Sequence, residues 1–208
     1  MKLLLLSLNP GAMRSFLDPA SSGAALRIAY VGDAQDAYAD APFVQAERRA
    51  IEVLGHELVD ITVRHTTPSD FESTLDGVDA VYVAGGSTFA LLESLRVTGS
   101  DEVLVRRVRD GLPYIGLSAG AIIVGPDITP ASLMDDPHDG PALTDHRGLG
   151  LMGQTVIPHA DGMLPHYPPA LISETVATYG STHRLLLLRD DQALLIEGDR
   201  ETMVDSNP

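Results

Sequence analysis

Gly116-Leu117-Ser118-Ala119-Gly120 sets a serine between two glycines, behind the apolar run Tyr114–Leu117 and ahead of the small-residue stretch from Ala119 to Gly125. This is a G-x-S-x-G match in the strand-to-helix context that a nucleophile elbow requires. Glycines two before and two after the serine remove the Cβ atoms that would collide where a strand folds back into a helix. Ser118 Oγ would then stand at the carboxyl end of a parallel sheet, where α/β proteins place ligands. The competing reading is a tight turn whose serine only caps the helix, because short glycine motifs also arise by chance.

One strand earlier, Val81-Tyr82-Val83-Ala84 runs into Gly85-Gly86-Ser87-Thr88-Phe89. A glycine pair at a strand end, before a helix, can aim amide N–H groups at an anion or a developing oxyanion. The N–H groups of Gly86 and Ala119 could form such a hole, with Gly85 and Ser87 as neighbouring substrate contacts. A ligand-free βα turn is the alternative. Neither turn carries the lysine of a phosphate loop.

A serine hydroxyl is a weak nucleophile at neutral pH and needs a base. Of seven histidines, His159 is the best placed, because the apolar run Thr155–Ile157 ends just before Pro158-His159-Ala160-Asp161. His166 is the reserve. A carboxylate should fix the imidazole tautomer. Asp190 qualifies, in Arg189-Asp190-Asp191-Gln192 beyond the apolar run Leu185–Leu188, and so do Asp135 and Asp136 in a long connection. His138, Asp139, Asp145 and His146, or His159 with Asp161 and His166, carry metal-ligand atoms. Without a helical H-x-x-x-H or similar fixed spacing they predict no metal site, and no motif asks for a cofactor.

These residues must be carried by elements that alternate along the chain. Apolar runs near Lys2–Leu8, Arg27–Val31, Glu57–Ile61, Ala80–Ala84 and Tyr114–Leu117 read as buried strands. Amphipathic segments lie between them: Tyr38–Leu54, a helix capped by Ser87 or Thr88 and running through Leu95, and Asp101–Arg109. That alternation predicts a parallel sheet covered by helices on both faces. From Gly125 to Gly153 there are four prolines, five aspartates and little apolar periodicity, as in a long functional or disordered connection. A helix is expected over Pro169–Tyr179, and closing strands at Arg184–Leu188, Ala193–Ile196 and Thr202–Val204.

The 208 residues fit one domain spanning 1–208. Fourteen Lys and Arg against 29 Asp and Glu give a formal net charge of −15, a field that repels nucleic acid and anionic lipid. With no cysteine, disulfides, thiolate metal sites and a cysteine nucleophile are excluded. The run Leu3–Leu6 is too short for a secretory signal, and no stretch approaches the ~20 apolar residues that span a bilayer. A cytoplasmic location without a membrane partner is expected. A homodimer is compatible with the sequence, although no clean apolar stripe marks an interface.

Taken together, Ala84-Gly85-Gly86-Ser87-Thr88-Phe89, Gly116-Leu117-Ser118-Ala119-Gly120-Ala121 and Ile157-Pro158-His159 resemble the peptidase E family of serine peptidases, the aspartyl dipeptidases, in order and spacing over nearly the whole chain. The resemblance implies a three-layer α/β/α sandwich with a mostly parallel central sheet, akin to class I glutamine amidotransferases. It also implies hydrolysis of dipeptides or very short peptides from the amino terminus, with Ser118 as nucleophile, His159 as base, and Gly86 with Ala119 as oxyanion donors. For the acid, the family pattern matches Asp190, while an aspartate of the earlier loop, Asp135 or Asp136, has also been placed in that role. Asp190 is preferred, since a strand end holds a carboxylate more firmly than a loop. The chain departs from the family in carrying Ser87 where asparagine is common. It also has no Lys or Arg from Ala160 to Thr182, and only Arg147 in the wider stretch Leu112–His183. Either Arg147 or a histidine meets the side chain of an amino-terminal aspartate, or the preference for that residue has changed. A cyanophycinase-like or other amide or isopeptide hydrolase, and a non-catalytic binding protein using the same pocket, are the rival readings.

Overall fold

The computed structural model describes residues 1–21 and 24–207. Five short apolar segments form the parallel part of the sheet: β1 (Lys2–Leu6), β2 (Arg27–Val31), β3 (Glu57–Ile61), β4 (Ala80–Val83) and β5 (Tyr114–Leu117). Two later strands, β8 (Gln192–Glu197) and β9 (Arg200–Asp205), extend the β1 edge through antiparallel pairing, giving the order β3-β2-β4-β5-β1-β8-β9. Remaining strands β6 (Thr155–Ile157) and β7 (Leu185–Leu187) pair with each other in a separate parallel ribbon.

Strands buried on both faces carry continuous apolar runs, and side-chain alternation divides them between two cores. In β1, Leu3 and Leu5 enter one core while Leu4 and Leu6 enter the other; all four are at most 1% exposed. Burying each such leucine contributes about 1.5–3 kcal/mol. Helices α1 (Met13–Ser21) and α2 (Pro42–Glu52) close one core through Met13, Phe16, Leu17 and Ile51. The other is closed by α3 (Pro68–Asp76), α4 (Thr88–Thr98), α5 (Ser100–Arg109) and the short α6 (Ala119–Ile122). The result is the three-layer α/β/α arrangement with a mostly parallel sheet.

Several boundaries differ from the sequence-based expectation, each for a local reason. The segment Tyr38–Leu54 does not begin as one helix: Asp33–Tyr38 is a 3-10 turn, and α2 starts where Pro42 occupies its first position. Ser87 caps α4, accepting from the Ala90 N–H at 3.3 Å, and Gly99 in the left-handed region at φ 73° ends the helix at Thr98 rather than Leu95. The Gly125–Gly153 connection contains two 3-10 turns, Thr129–Leu133 and Pro137–Asp139, and a bridge between Asp127 and Arg147. Helix α7 (Pro169–Tyr179) forms as expected. Arg184–Leu188 does not close the main sheet, because Leu185–Leu187 is taken by β6. Among the described residues no helix is long and apolar enough to cross a membrane.

Candidate active site

Ser118 follows β5 directly and sits at φ 47°, ψ −103°, a conformation that a residue with a Cβ adopts only when its surroundings impose it. The imposing contacts are a bond from the Ser118 N–H to the Leu6 carbonyl at 2.9 Å, and the Ala121 and Ile122 N–H groups donating to the Ser118 carbonyl. The flanking glycines are needed for clearance: a Cβ at Gly116 would lie 2.3 Å from the Gly120 carbonyl oxygen. Strand therefore reverses into α6 with Ser118 at the apex.

His159, two residues beyond β6, also has a positive φ, 56°. Its Nε2 lies 3.1 Å from Ser118 Oγ, and its Nδ1 lies 2.7 Å from Asp190 Oδ1. Both His159 and Asp190 are buried, at 3% and 7% exposure, so the ring is held away from competing water. Burial pushes the Asp190 carboxyl up, but the bonds from His159 and Ser7 and the charge of His159 outweigh it and hold the group below the usual carboxylate range. The Nδ1–carboxylate contact fixes a tautomer whose Nε2 can take the proton of an attacking hydroxyl.

Three further contacts complete the surroundings. Ser7 Oγ, at the end of β1, donates to Asp190 Oδ1 at 2.9 Å and accepts the His159 backbone N–H at 2.7 Å. Tyr167 stacks on the imidazole, centroids 4.7 Å apart and planes 10° from parallel. Asp161 Oδ2 accepts weakly from the Asp190 N–H at 3.4 Å.

The glycine turn after β4 is also shaped by its neighbours. Gly86 has φ 132°, and a Cβ there would lie 2.2 Å from the Ala34 carbonyl oxygen. The Ser87 N–H donates to that same oxygen at 2.8 Å, and Gly85 N–H donates to Glu47 Oε1 at 3.2 Å. Among the described residues no acceptor takes the N–H of Gly86 or of Ala119, which leaves both free for a ligand oxygen. Ser87, buried and engaged as the α4 cap, presents little of its side chain.

The other expected residues lie elsewhere. Asp135 Oδ2 accepts from both the N–H and the hydroxyl of Thr88 at the start of α4. Burial pushes this carboxyl up, against the Thr88 donors and the charge of His159 that pull it down. Asp136 is exposed and takes the N–H and ring of His138. Arg147 is exposed and forks onto Asp145. His166 is exposed, and His146 packs edge-on against Phe89. Among the described residues no three His, Asp or Glu side chains gather as a metal would require.

Sequence reasoning did not single out Ser7, Glu47, Thr88 or Tyr167 for the site. For Ser7 a signal existed, a polar residue directly after the leucine run Leu3–Leu6 of β1, the same position in a strand–turn that Ser118 occupies after β5. For Tyr167 and Glu47 no local pattern marks the contact.

Comparison with known proteins gives the same architecture. A candidate peptidase E of Listeria monocytogenes, solved by crystallography, superposes with a TM-score of 0.88 over 98% of both chains at 25% identity, and the arrangement is that of class I glutamine amidotransferase-like folds. An uncharacterized peptidase of Listeria innocua is 32% identical over 160 residues, covering 73% of this chain and 75% of that protein. A peptidase E of Streptomyces coelicolor is 33% identical over 147 residues, 62% of this chain and 53% of the relative. The sequence model of peptidase family S51 matches residues 7–204, and the chain belongs to that family of serine peptidases.

Proposed function

We propose that the protein is a serine exopeptidase that releases the amino-terminal residue of dipeptides or very short peptides. Ser118 Oγ attacks the scissile carbonyl as His159 Nε2 takes its proton, Asp190 holds the resulting imidazolium, and the N–H groups of Gly86 and Ala119 receive the oxyanion. The imidazolium then returns the proton to the leaving amine, and water enters by the same route to hydrolyse the acyl-enzyme. The observation that carries this reading is the unbroken line Ser118–His159–Asp190, with contacts of 3.1 and 2.7 Å.

Exopeptidase action needs a group for the free α-ammonium, and Asp135 is the carboxylate best suited to it. It lies within electrostatic reach of His159 and is fixed by Thr88 through only one of its oxygens. For an amino-terminal aspartate, Arg147 would have to leave Asp145 to meet the side chain. Hydrolysis of a panel holding Asp-Leu, Ala-Leu, Lys-Leu, their N-acetylated forms and a β-aspartyl isopeptide tests the reading. Wild type should cleave free dipeptides, acetylation should abolish cleavage, and Ser118→Ala should lose on the order of 10³-fold or more in kcat. Undiminished turnover by Ser118→Ala overturns the serine mechanism, and cleavage of the isopeptide alone moves the assignment to an isopeptide hydrolase.

A further inference from the structure

The N–H of Gly86 belongs to a peptide unit flanked by two glycines' worth of free rotation, since neither Gly85 nor Gly86 has a side chain to restrict it. An oxyanion donor is useful only if its direction is set before the reaction. The following peptide unit is anchored by the Ser87 N–H on the Ala34 carbonyl. The preceding unit is anchored by the Gly85 N–H on Glu47 Oε1. Glu47 comes from α2, outside both motifs, and is itself pinned: Tyr82 Oη donates to Oε1 at 2.9 Å, Gln35 Nε2 donates to Oε2 at 2.8 Å, and Tyr30 Oη donates to Gln35 Oε1 at 2.9 Å. Tyr30 and Tyr82 stack with centroids 5.5 Å apart. The turn so held lies close against the nucleophile, since a methyl at Gly85 would stand 3.4 Å from Ser118 Cβ.

From this geometry we infer that Glu47 is a positioning residue for the oxyanion hole: its carboxylate clamps the peptide unit before the Gly86 donor, as Ala34 clamps the one after it. The inference rests on the assignment of Ser118 as nucleophile and Gly86 as donor. A carboxylate suits the task because one oxygen can accept two donors at once while the other takes a third. A role confined to folding would leave the intrinsic reactivity of folded molecules unchanged, whereas a clamp on the donor acts on the step in which charge develops on oxygen.

The test is the rate at which a fluorophosphonate probe phosphonylates Ser118, resolved into the maximal rate kinact and the half-saturating concentration KI. This readout needs no knowledge of the peptide substrate. Wild type should label and Ser118→Ala should not; an unlabelled wild type overturns the serine reading itself. Displacing rather than deleting a donor should cost about tenfold or more in kinact, so Glu47→Ala is expected to lose that much with KI held within about twofold. Glu47→Gln keeps an acceptor for Gly85 and should recover most of the rate. If Glu47→Ala does not fold, Glu47→Asp, one methylene short of Gly85, carries the same expectation. Labelling of wild type together with an unchanged kinact in the folded Ala or Asp variant overturns the clamp and leaves the serine mechanism standing.

Discussion

Ser118 and His159 are the non-glycine residues with positive φ among those described, at 47° and 56°, and they are hydrogen-bonded to each other. Each such conformation costs on the order of 1–3 kcal/mol and persists only where surrounding contacts over-determine it. At Ser118 the contacts are backbone to backbone, through Leu6 and the first turn of α6. At His159 they depend on a side chain, because its N–H is taken by Ser7 Oγ, while its carbonyl receives the Gly162 N–H. The two residues of the proposed centre are thus both held in strained backbone conformations, one by Leu6 of β1 and the other by Ser7 just beyond it.

Ser7→Ala should expose that dependence. It leaves the buried His159 N–H without an acceptor and removes one donor from Asp190, a loss of about 1–3 kcal/mol for an unmet buried group. The expected result is a lower thermal midpoint and a kcat reduced by about tenfold, with KM little changed. Ser7→Thr, which keeps the hydroxyl, should recover part of both. Full activity in the alanine variant would show that His159 is held without Ser7.

Asp190 and Asp135 are expected to separate in kinetics. Asp190→Ala removes the only side-chain partner of His159 Nδ1 among the described residues, leaving the tautomer unset, and should cost about 10³–10⁴ in kcat. Asp135→Asn keeps the geometry at Thr88 but loses the charge offered to the substrate ammonium, so its main effect should be a raised KM for free dipeptides. Steady-state kinetics on one unblocked dipeptide distinguishes them. The reverse pattern would return the triad acid to the long connection.

Much of this centre is legible in the sequence because Ser118, His159 and Asp190 each follow an apolar strand, where a parallel or paired strand must deliver its next residue to a common edge. The inner parallel strands β1, β4 and β5 are legible because they are buried on both faces and show as apolar runs, whereas the edge strand β3, Glu57-Leu58-Val59-Asp60-Ile61, alternates apolar and charged residues and is only partly buried. Less visible are α1, whose stretch contains Pro19, and α3, whose mostly polar face is announced only by Thr67 capping onto the Asp70 N–H with Pro68 at the first helical position. The β6–β7 ribbon escapes because three-residue strands carry no information about their partner. Glu47 and Thr88 escape for a deeper reason: their roles are contacts across 38 and 47 positions of chain, and single polar residues carry no periodicity to reveal them.

Gly86→Ala gives a steric test of the glycine turn. The new methyl would meet the Ala34 carbonyl at 2.2 Å, against backbone rather than a movable side chain, and the φ of 132° is one that alanine rarely adopts. Relief requires moving the turn away from the residues following β2, which rotates the Gly86 N–H. The variant should be destabilised by about 1–3 kcal/mol and should lose fluorophosphonate labelling even in its folded fraction. Retained labelling at the wild-type rate would exclude Gly86 as the donor.

Glu47 also leaves a signature in the pH dependence of stability. Burial pushes its carboxyl up from 4.5 to about 7, against the donors Tyr82, Gly85 and Gln35 that pull it down. Tyr30 faces it from β2 and Tyr82 from β4, while Arg48 beside it is directed to Asp60 and Glu52. Glu47, Tyr82 and Leu117 line an open cleft of about 700 Å³ between α1 and α2, so the carboxyl can exchange protons with solvent. Between pH 4.5 and about 7 the folded state binds this proton and the unfolded chain has released it, so stability falls as pH rises through that window. Asp190 acts with the opposite sign and at lower pH: its depressed carboxyl contributes stability above the unfolded value, lost as pH falls through the folded one. Thermal midpoints of wild type and Glu47→Gln measured from pH 5 to 8 should therefore diverge, with the wild-type decline across pH 5–7 flattened in the variant. Parallel curves would mean that Glu47 titrates near its ordinary value, and that burial beneath α2 does not govern its proton.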